Sequence, residues 1–377
     1  MMGTSAGSFD VIVIGLGVVG SAAAYQLARS GVGVVGLEQF HPNHTFGSSH
    51  GESRIIRYAY DTPLYIQWVR EAYLAWAAME QDSERRLLHI TGGYDFGNES
   101  IPTYAATRAA MSAEGVPFEV LTAEEVARRV PQFRPPPTME TLYQAETGVL
   151  IASECVHALA KMAARHGAAL HYDTQVTRIL PGADHVRVET TGGAFEAGSV
   201  IMAAGAWMSG LLRGLDLALP FQPTREQVVY FDTRAGYRLG ELPVFIGHDG
   251  FFYGLPDVRG SGMKVGVHCN HEDTDPDAVK RSGDPAYAER VAAFVRAYLP
   301  AVDTSVKEMR VCLYTMTPDS HFLLDRHPAY PNVILASPCS GHGFKFGILS
   351  GKVAAQLARG ETPTLPIDAL SVRRFTL

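Results

Sequence analysis

The sequence predicts an α/β protein with two domains, one built around a parallel β-sheet and one around a mainly antiparallel β-sheet with helices. Three observations support this fold class. The chain opens with a strand–helix–strand pattern, two later stretches repeat the short β-branched runs typical of buried parallel strands, and the segments between them favour longer antiparallel strands. A length of 377 residues is sufficient for two substantial hydrophobic cores.

The opening strand–helix–strand unit begins with the apolar run 10–14, which is typical of a strand buried on both faces of a sheet. Residues 21–29 favour a helix that Gly31 ends, and residues 32–37 favour a second strand, followed directly by Glu38. The order strand, helix, strand within so short a stretch indicates a parallel pair joined by a crossover helix.

Gly15, Gly17 and Gly20 form a GxGxxG turn between the first strand and the helix. The first glycine permits a tight turn, the second lets the backbone approach a pyrophosphate, and the third lets the helix pack on the strand. Glu38 follows Gly20 by eighteen residues and is expected to accept the ribose hydroxyls, while its charge would repel a 2′-phosphate. The pattern predicts a Rossmann-like dinucleotide site and leaves NAD and FAD undecided.

Further segments extend both sheets. The parallel domain is expected to take its other helices and strands from residues 155–167, 168–171, 176–180, 186–190, 198–207, 333–336 and 347–359. The antiparallel domain is expected to use strands at 219–231, 243–256 and 262–268, with a helix at 286–298. We therefore predict a discontinuous nucleotide-binding domain of residues 8–85, 148–218 and 312–370, and a substrate domain of residues 86–147 and 219–311.

Composition and charge exclude several classes of protein. A net charge of −7 argues against a general affinity for nucleic acid, and the apolar run 11–20 is too short to span a membrane and lacks a preceding basic region. The four cysteines form no CxxC pair and are typical of reduced cytosolic thiols, and a C-terminal SKL address is absent. We expect a cytoplasmic monomer without a metal site.

Three more segments carry specific chemistry: 50–57 reads HGESRIIR, 312–319 reads CLYTMTPD and 340–346 reads SGHGFKF. Together they resemble the family of monomeric sarcosine oxidase, N-methyltryptophan oxidase and pipecolate oxidase, over nearly the whole chain from Phe9 to about Phe375. The resemblance implies an FAD-dependent oxidase that converts the C–N bond of a secondary amino acid to an imine and reduces O2 to H2O2.

The resemblance also implies roles for individual residues. Cys312 matches the cysteine that forms a thioether to the flavin, and Lys264 matches the lysine that promotes the reaction of reduced flavin with oxygen. Arg57 and Lys345 match the pair that holds the substrate carboxylate. Lys345 is expected to lie against the cofactor as well.

The other implied positions surround the same ligands. Residues implied to lie near the flavin ring are Arg54 and His50, and those implied to face the substrate are Tyr253 and His268. Further cofactor contacts are expected from Ser48, Val176 (through its backbone, to the adenine), Gly205, Gly341, Gly343 and Phe344. For His342 we expect the loop, rather than the ring, to serve the flavin, because backbone donors and the following helix N-terminus can stabilise negative charge.

Residue chemistry agrees with several of these roles. Lys264, Gly266 and His268 share one strand face at a period of two, and Tyr253 faces the same way if residues 257–262 form the intervening turn. A buried cation there can stabilise developing superoxide electrostatically. A planar guanidinium binds a carboxylate through two hydrogen bonds, and a lysine adds a point charge, so Arg57 suits an amino-acid substrate together with a distant lysine.

Two departures from the family and several alternatives bear on the substrate. Ser49 stands where the sarcosine oxidases have a histidine, and Pro338-Cys339 stands in a position where relatives commonly have Gly-Phe, which would reshape the pocket wall. N-methylated and cyclic amino acids, or an imino acid in natural-product tailoring, therefore stay open. A dehydrogenase of the same fold that passes electrons to another acceptor is disfavoured by Lys264, and a non-catalytic dinucleotide-binding protein is the remaining alternative.

Overall fold

The computed structural model describes residues 8–233, 235–270, 272–337 and 340–375, so Pro338 and Cys339 lie outside the described residues. The helices in these ranges are α1 Val18–Arg29, α2 Pro63–Ser83, α3 Pro102–Ala113, α4 Ala123–Arg129, α5 Ala152–Arg165, α6 Met208–Arg213, α7 Pro285–Tyr298 and α8 Gly347–Ala358. Short 3₁₀ turns occur at Gly205–Trp207, Phe344–Phe346, Asp368–Leu370 and Val372–Arg374.

The strands fall into three sheets. In chain order they are β1 Ser8–Ile14, β2 Val34–Leu37, β3 Ser53–Ile56, β4 Leu88–Ile90, β5 Gly93–Gly97, β6 Glu119–Leu121, β7 Glu140–Gln144, β8 Gly148–Ile151, β9 Ala169–His171, β10 Val176–Pro181, β11 Val186–Thr190, β12 Gly193–Met202, β13 Gln222–Phe231, β14 Val244–Gly247, β15 Phe252–Leu255, β16 Met263–Val267, β17 Glu272–Asp273, β18 Val306–Met316, β19 Leu323–Arg326 and β20 Val333–Ser337.

The first sheet has the order β10-β11-β12-β1-β2-β9, with β20 also pairing β12 and β19 pairing β20. Its central pairs, β12 with β1, β1 with β2, β2 with β9 and β12 with β20, are parallel. Three separated chain segments supply these strands, which confirms the predicted α/β class. Val11 and Val13 of β1 pack toward α1, α5 and α8, and Ile12 and Ile14 pack into a second core on the opposite face, as expected for a strand buried on both sides.

The second sheet has the order β17-β13-β16-β15-β14-β5-β7-β6, with β18 also pairing β13, and is antiparallel except where β14 meets β5. Val229, Met263 and Val265 of one face pack with α7 in a hydrophobic core. The alternate residues Tyr230 and Lys264 point to the other face, where they line a cavity. The sheet therefore buries one surface in a core and offers the other to a ligand.

Two expectations about the second sheet need correction. The single long strand expected over 243–256 is wrong, because the polar residues His248 and Asp249 with Gly250 form a tight turn that divides it into β14 and β15. The long strand β18 was not expected as such, and the domain boundary placed at residue 312 lies within it. The division into nucleotide and substrate domains stays a prediction.

A small third sheet has the order β3-β8-β4, and its strand β3 carries Arg54. Within the described residues, none of the helices combines the length and the apolar character needed to cross a bilayer. In the same part of the chain, no group of three or more His, Cys, Asp or Glu side chains is arranged to hold a metal ion.

Candidate active site

Two adjoining cavities meet beside the carboxyl ends of β1 and β12. The one we call the nucleotide cavity has a volume of about 550 Å³ and is lined by Gly15, Glu38 and Val176 among others. The second, which we call the reaction cavity, has a volume of about 660 Å³ and is lined by residues of β3, β15, β16 and β18. Residues that line both cavities are Gly17, Ser48, Ser49, His50, Ala203 and Gly205. A single elongated ligand can therefore occupy both.

The glycine-rich turn forms one wall of the nucleotide cavity. Gly15 has a φ of +89°, and a Cβ atom there would lie 2.6 Å from the carbonyl oxygen of Ala203. A Cβ atom on Gly20 would lie 1.7 Å from the carbonyl oxygen of Gly15, which explains the close packing of α1 on the turn. Gly20 itself lines neither cavity, so its contribution is to packing, as the sequence pattern indicates.

Glu38 lies at the carboxyl end of β2 and is buried. One of its carboxylate oxygens accepts a hydrogen bond from the amide of Leu16 (2.9 Å), and the other accepts from the amide of Phe40 (3.1 Å). The ring of His44 lies 3.7 Å from the same carboxylate. The carboxylate is thus held at the wall of the nucleotide cavity, where a ribose can bind, and His44 is a neighbour that the sequence did not predict.

His50 lines both cavities and has no hydrogen-bond partner on either ring nitrogen among the described residues. Burial, and then the neighbouring charges of Arg54 and Lys264, lower its pKa to about 3. A neutral imidazole with two buried, unsatisfied polar atoms is costly unless a ligand supplies a partner. Together with the glycine turn and Glu38, this ring fits an FAD molecule extended through both cavities.

Arg54 and Lys264 form a pair of cations near the His50 ring. Lys264 is 4% exposed and donates a hydrogen bond to the carbonyl of Ser53 (3.0 Å). Arg54 donates to the same carbonyl (2.9 Å) and also to the carbonyls of Ser48 (2.8 Å) and His50 (2.7 Å), and its guanidinium lies 5.4 Å from the ring centre of Phe344. Burial, and then the charge of Arg54, lower the pKa of Lys264 well below its usual range.

The reaction cavity is lined by Tyr253, Lys264 and His268, as expected from the period of two. Tyr253 pairs with Gly266 across the strands, and a Cβ atom on Gly266 would lie 2.8 Å from the Tyr253 hydroxyl. The absent side chain therefore makes room for the tyrosine ring. Burial raises the pKa of Tyr253 well above its usual range, so the hydroxyl stays protonated.

Cys312 reaches the reaction cavity from β18, opposite Glu226 of β13. Tyr314, two residues along the same strand, lines the cavity on the same face. This tyrosine was not among the predicted site residues, although its position two residues after Cys312 would have indicated it.

Residues 341–345 form part of the wall of the reaction cavity. Gly341 has a φ of +76°, and a Cβ atom there would lie 2.5 Å from the ring of Tyr314 and 2.6 Å from the ring of His268. Gly343, Phe344 and Lys345 also line the cavity.

The two cations expected to bind a carboxylate meet at Tyr60, which the sequence did not predict. Lys345 donates hydrogen bonds to the Tyr60 hydroxyl (2.8 Å) and to the carbonyl of His342 (3.1 Å), and its ammonium group lies 5.2 Å from the centre of the tyrosine ring. The Arg57 guanidinium lies 5.6 Å from the same ring centre. The ring of His342 is engaged by the protein, with Nδ1 3.2 Å from the Tyr60 hydroxyl and Nε2 3.1 Å from the carbonyl of Ser320.

Arg57 has an acidic partner that was also missed. Its guanidinium donates a hydrogen bond to the buried carboxylate of Asp95 on β5, and the same carboxylate oxygen lies 3.3 Å from Nε2 of His248. Nδ1 of His248 lies 3.1 Å from the hydroxyl of Thr103. Because Asp95 is distant in the chain and stands alone in an apolar strand, only the tertiary structure reveals this group.

Comparison with known proteins agrees with this geometry. Residues 10–357 match the family model described as FAD dependent oxidoreductase. The chain is 34% identical to monomeric sarcosine oxidase of Bacillus sp. (strain B-0618), covering 98% of this chain and 97% of that one. It is 28% identical to N-methyl-L-tryptophan oxidase of Citrobacter koseri, covering 98% and 99%. The structure of NikD, an unusual amino acid oxidase essential for nikkomycin biosynthesis, superposes with a TM-score of 0.86 at 27% identity, covering 97% and 98%.

Proposed function

This chain belongs to the family of FAD-dependent oxidoreductases, and we propose that it oxidises the C–N bond of a secondary amino acid to an imine. The observation that carries the proposal is the pair of cations, Arg57 and Lys345, that contact one tyrosine ring in a cavity adjoining the nucleotide cavity. The related enzymes named sarcosine oxidase and N-methyl-L-tryptophan oxidase support a substrate in which the amine nitrogen carries a second carbon.

The residues of the chain bind and orient such a substrate. Arg57 and Lys345 supply donors for a carboxylate, the guanidinium through paired hydrogen bonds and the ammonium as a point charge. The same cations, with Arg54 and Lys264, favour the neutral form of a substrate amine nearby, and only that form can lose hydride equivalents. FAD, when bound, supplies the two-electron redox chemistry.

We further propose that dioxygen is the electron acceptor. In the balanced reaction one substrate molecule loses two electrons and two protons to become an imine, and O2 gains them to become H2O2. Lys264 is the residue to which we assign the positive charge that favours this reduction, because it is a buried cation on the cavity wall. A dehydrogenase that excludes O2 is the second candidate, and peroxide production under air distinguishes the two.

We also propose that Cys312 attaches the flavin covalently. Its position on the wall of the reaction cavity, together with the CLYTMTPD segment, supports this assignment. The contacts that we assign to FAD are those of Gly15, Gly17, Glu38, Ser48, Arg54, Val176, Gly205, Gly341, Gly343, Phe344 and Lys345, and Tyr253 and His268 are assigned to the substrate side. A cytoplasmic monomer is part of the same proposal.

Anaerobic mixing with matched substrates tests the proposed function. Purified protein is mixed with N-methyl amino acids, with cyclic amino acids and with the corresponding decarboxylated amines, and the visible absorbance of the oxidised flavin is followed. We expect bleaching by secondary amino acids and little by the amines. Equal bleaching by an amine that lacks the carboxylate would contradict the assignment, as would the absence of bleaching by all the amino acids.

A further inference from the structure

Arg57 does not present a free positive charge to the reaction cavity, because the protein supplies its own anion. The Arg57 guanidinium donates to the Asp95 carboxylate through Nη1. The side chain of Asp95 is 2% exposed and that of Arg57 is 20% exposed, so the carboxylate lies behind the guanidinium and away from water. The cavity is lined by Arg57 and not by Asp95.

The Asp95 carboxylate is also fixed in place. Asp95 belongs to the interior strand β5, where it pairs with Ile246 of β14. Its oxygen lies 3.3 Å from Nε2 of His248, whose other ring nitrogen is 3.1 Å from the hydroxyl of Thr103. A carboxylate held by a strand and by a buried ring cannot swing away when a second anion arrives at Arg57.

We propose that Asp95 is a specificity-determining positioning residue that restricts the cavity to substrates with a single carboxylate group. This inference rests on the proposed function, in which Arg57 and Lys345 bind a carboxylate. Once Lys345 is protonated against a bound carboxylate, the formal charges of Arg57, Asp95 and Lys345 sum to one positive charge, which one substrate carboxylate neutralises. A second substrate carboxylate has no cation to neutralise it and is repelled by the buried Asp95 carboxylate. Repulsion between like charges is a common basis of selectivity. The substrate class is thus a secondary amino acid with an uncharged or cationic side chain.

A pair of ligands that differ only in charge tests this directly. Succinate and its monoamide, succinamate, have the same length, and each is titrated as a competitive ligand of the flavin-loaded enzyme. We expect the wild type to bind succinamate at least about tenfold more tightly than succinate. Asp95→Asn keeps an oxygen that accepts from Arg57 and removes the charge, so the preference should shift toward succinate by about tenfold. A merely structural role would change both affinities alike.

A double variant covers the case in which Asp95→Asn does not fold. Removing both members of a buried ion pair is tolerated better than removing one. Arg57→Gln leaves the negative charge of Asp95 without its partner. Arg57→Gln combined with Asp95→Asn removes both charges of the pair, so the net charge of the three side chains is that of Lys345. The double variant should therefore bind succinamate more tightly than Arg57→Gln alone and should lose the discrimination against succinate. Asp325→Asn, which removes a carboxylate bonded to Ser371 and Val372 outside the cavity, is the matched control.

The outcomes separate this inference from the proposed function. If the wild type binds neither ligand in competition with substrate, the carboxylate site is wrong, and the role of Asp95 falls with it. If succinamate binds but the ratio of the two affinities is the same in wild type and in both Asp95 variants, the proposed function stands and the inference about Asp95 is overturned. A shift in the ratio that also occurs in Asp325→Asn overturns it as well.

Discussion

Lys264 and Arg54 donate hydrogen bonds to one backbone carbonyl, that of Ser53, at 3.0 and 2.9 Å. Burial, and then repulsion by the charge of Arg54 at the same acceptor, lower the pKa of Lys264 well below its usual range. The strand β3 thereby holds the two side chains at the wall of the reaction cavity, which is the position that the proposed stabilisation of developing negative charge requires.

Lys264→Met should slow the reaction of the reduced enzyme with oxygen by about 10²–10³-fold and leave reduction by substrate nearly unchanged, because a preorganised charge is lost. Stopped-flow measurement of the two half-reactions checks this. Lys307→Met removes an exposed lysine of β18 that bonds the carbonyl of Gly260, and should change neither rate. Equal slowing of both half-reactions in Lys264→Met would assign the lysine a structural role.

Cys312→Ser should release the flavin on acid denaturation, because a serine cannot form the thioether. The wild-type polypeptide should keep its yellow colour after precipitation, and absorbance of pellet and supernatant measures the distribution. The variant should still bind FAD reversibly, since the glycine turn is intact. Cys269→Ser is the matched control and should retain the attached flavin; release of all flavin from the wild type would reject the covalent link.

Arg57→Ala and Lys345→Ala should each weaken binding of a simple carboxylate inhibitor by about 10- to 150-fold, the range of one charge-assisted hydrogen bond. Arg57→Ala should show the larger loss, because it leaves the buried Asp95 without its partner. Inhibition constants measured on flavin-loaded protein check the order. Arg187→Ala, which removes an exposed arginine paired with Glu196, should have no effect, and undiminished affinity in both cavity variants would refute the carboxylate site.

Binding of a carboxylate inhibitor should be accompanied by proton uptake. Burial, and then the charge of Arg57, lower the pKa of Lys345 well below its usual range, and an arriving carboxylate raises it again. Binding should therefore take up protons at pH values between the lowered pKa of Lys345 in the empty cavity and the usual lysine pKa of about 10.4. Calorimetry in buffers of different ionisation enthalpy measures it; Lys345→Met should abolish the uptake and Lys264→Met should retain it. A binding enthalpy that is independent of the buffer would contradict this.

Gly20→Ala should destabilise the protein by more than about 3 kcal/mol, because the added Cβ atom would lie 1.7 Å from the carbonyl oxygen of Gly15 and force α1 away from the turn. FAD binding should be lost as well. At Gly198 of β12 an added Cβ atom would make an ordinary contact, 3.4 Å from the carbonyl oxygen of Asp10, so Gly198→Ala is the control. Thermal unfolding of both variants compares them, and similar midpoints would show that the packing argument is wrong.

The sequence by itself determined those features that depend on neighbours in the chain. The glycine turn, its strand and its helix occupy consecutive residues, so their spacing predicts both the fold and the position of Glu38. The alternation along β16 likewise predicts that Lys264 and His268 lie on one side. These predictions hold because the period of a strand or helix fixes the direction of each side chain locally.

The tertiary structure alone decided which distant side chains meet. Arg57 and Lys345 both lie near the Tyr60 ring, Asp95 neutralises Arg57, and the His50 ring has no hydrogen-bond partner among the described residues, although none of these relationships has a signal in local sequence. Each depends on the order of strands in the second sheet and on the loop after β20, which bring together segments far apart in the chain. Strand order is set by the packing of whole sheets and not by the periodicity of any one strand. The ion pairs of the reaction cavity could therefore be identified only from the folded structure.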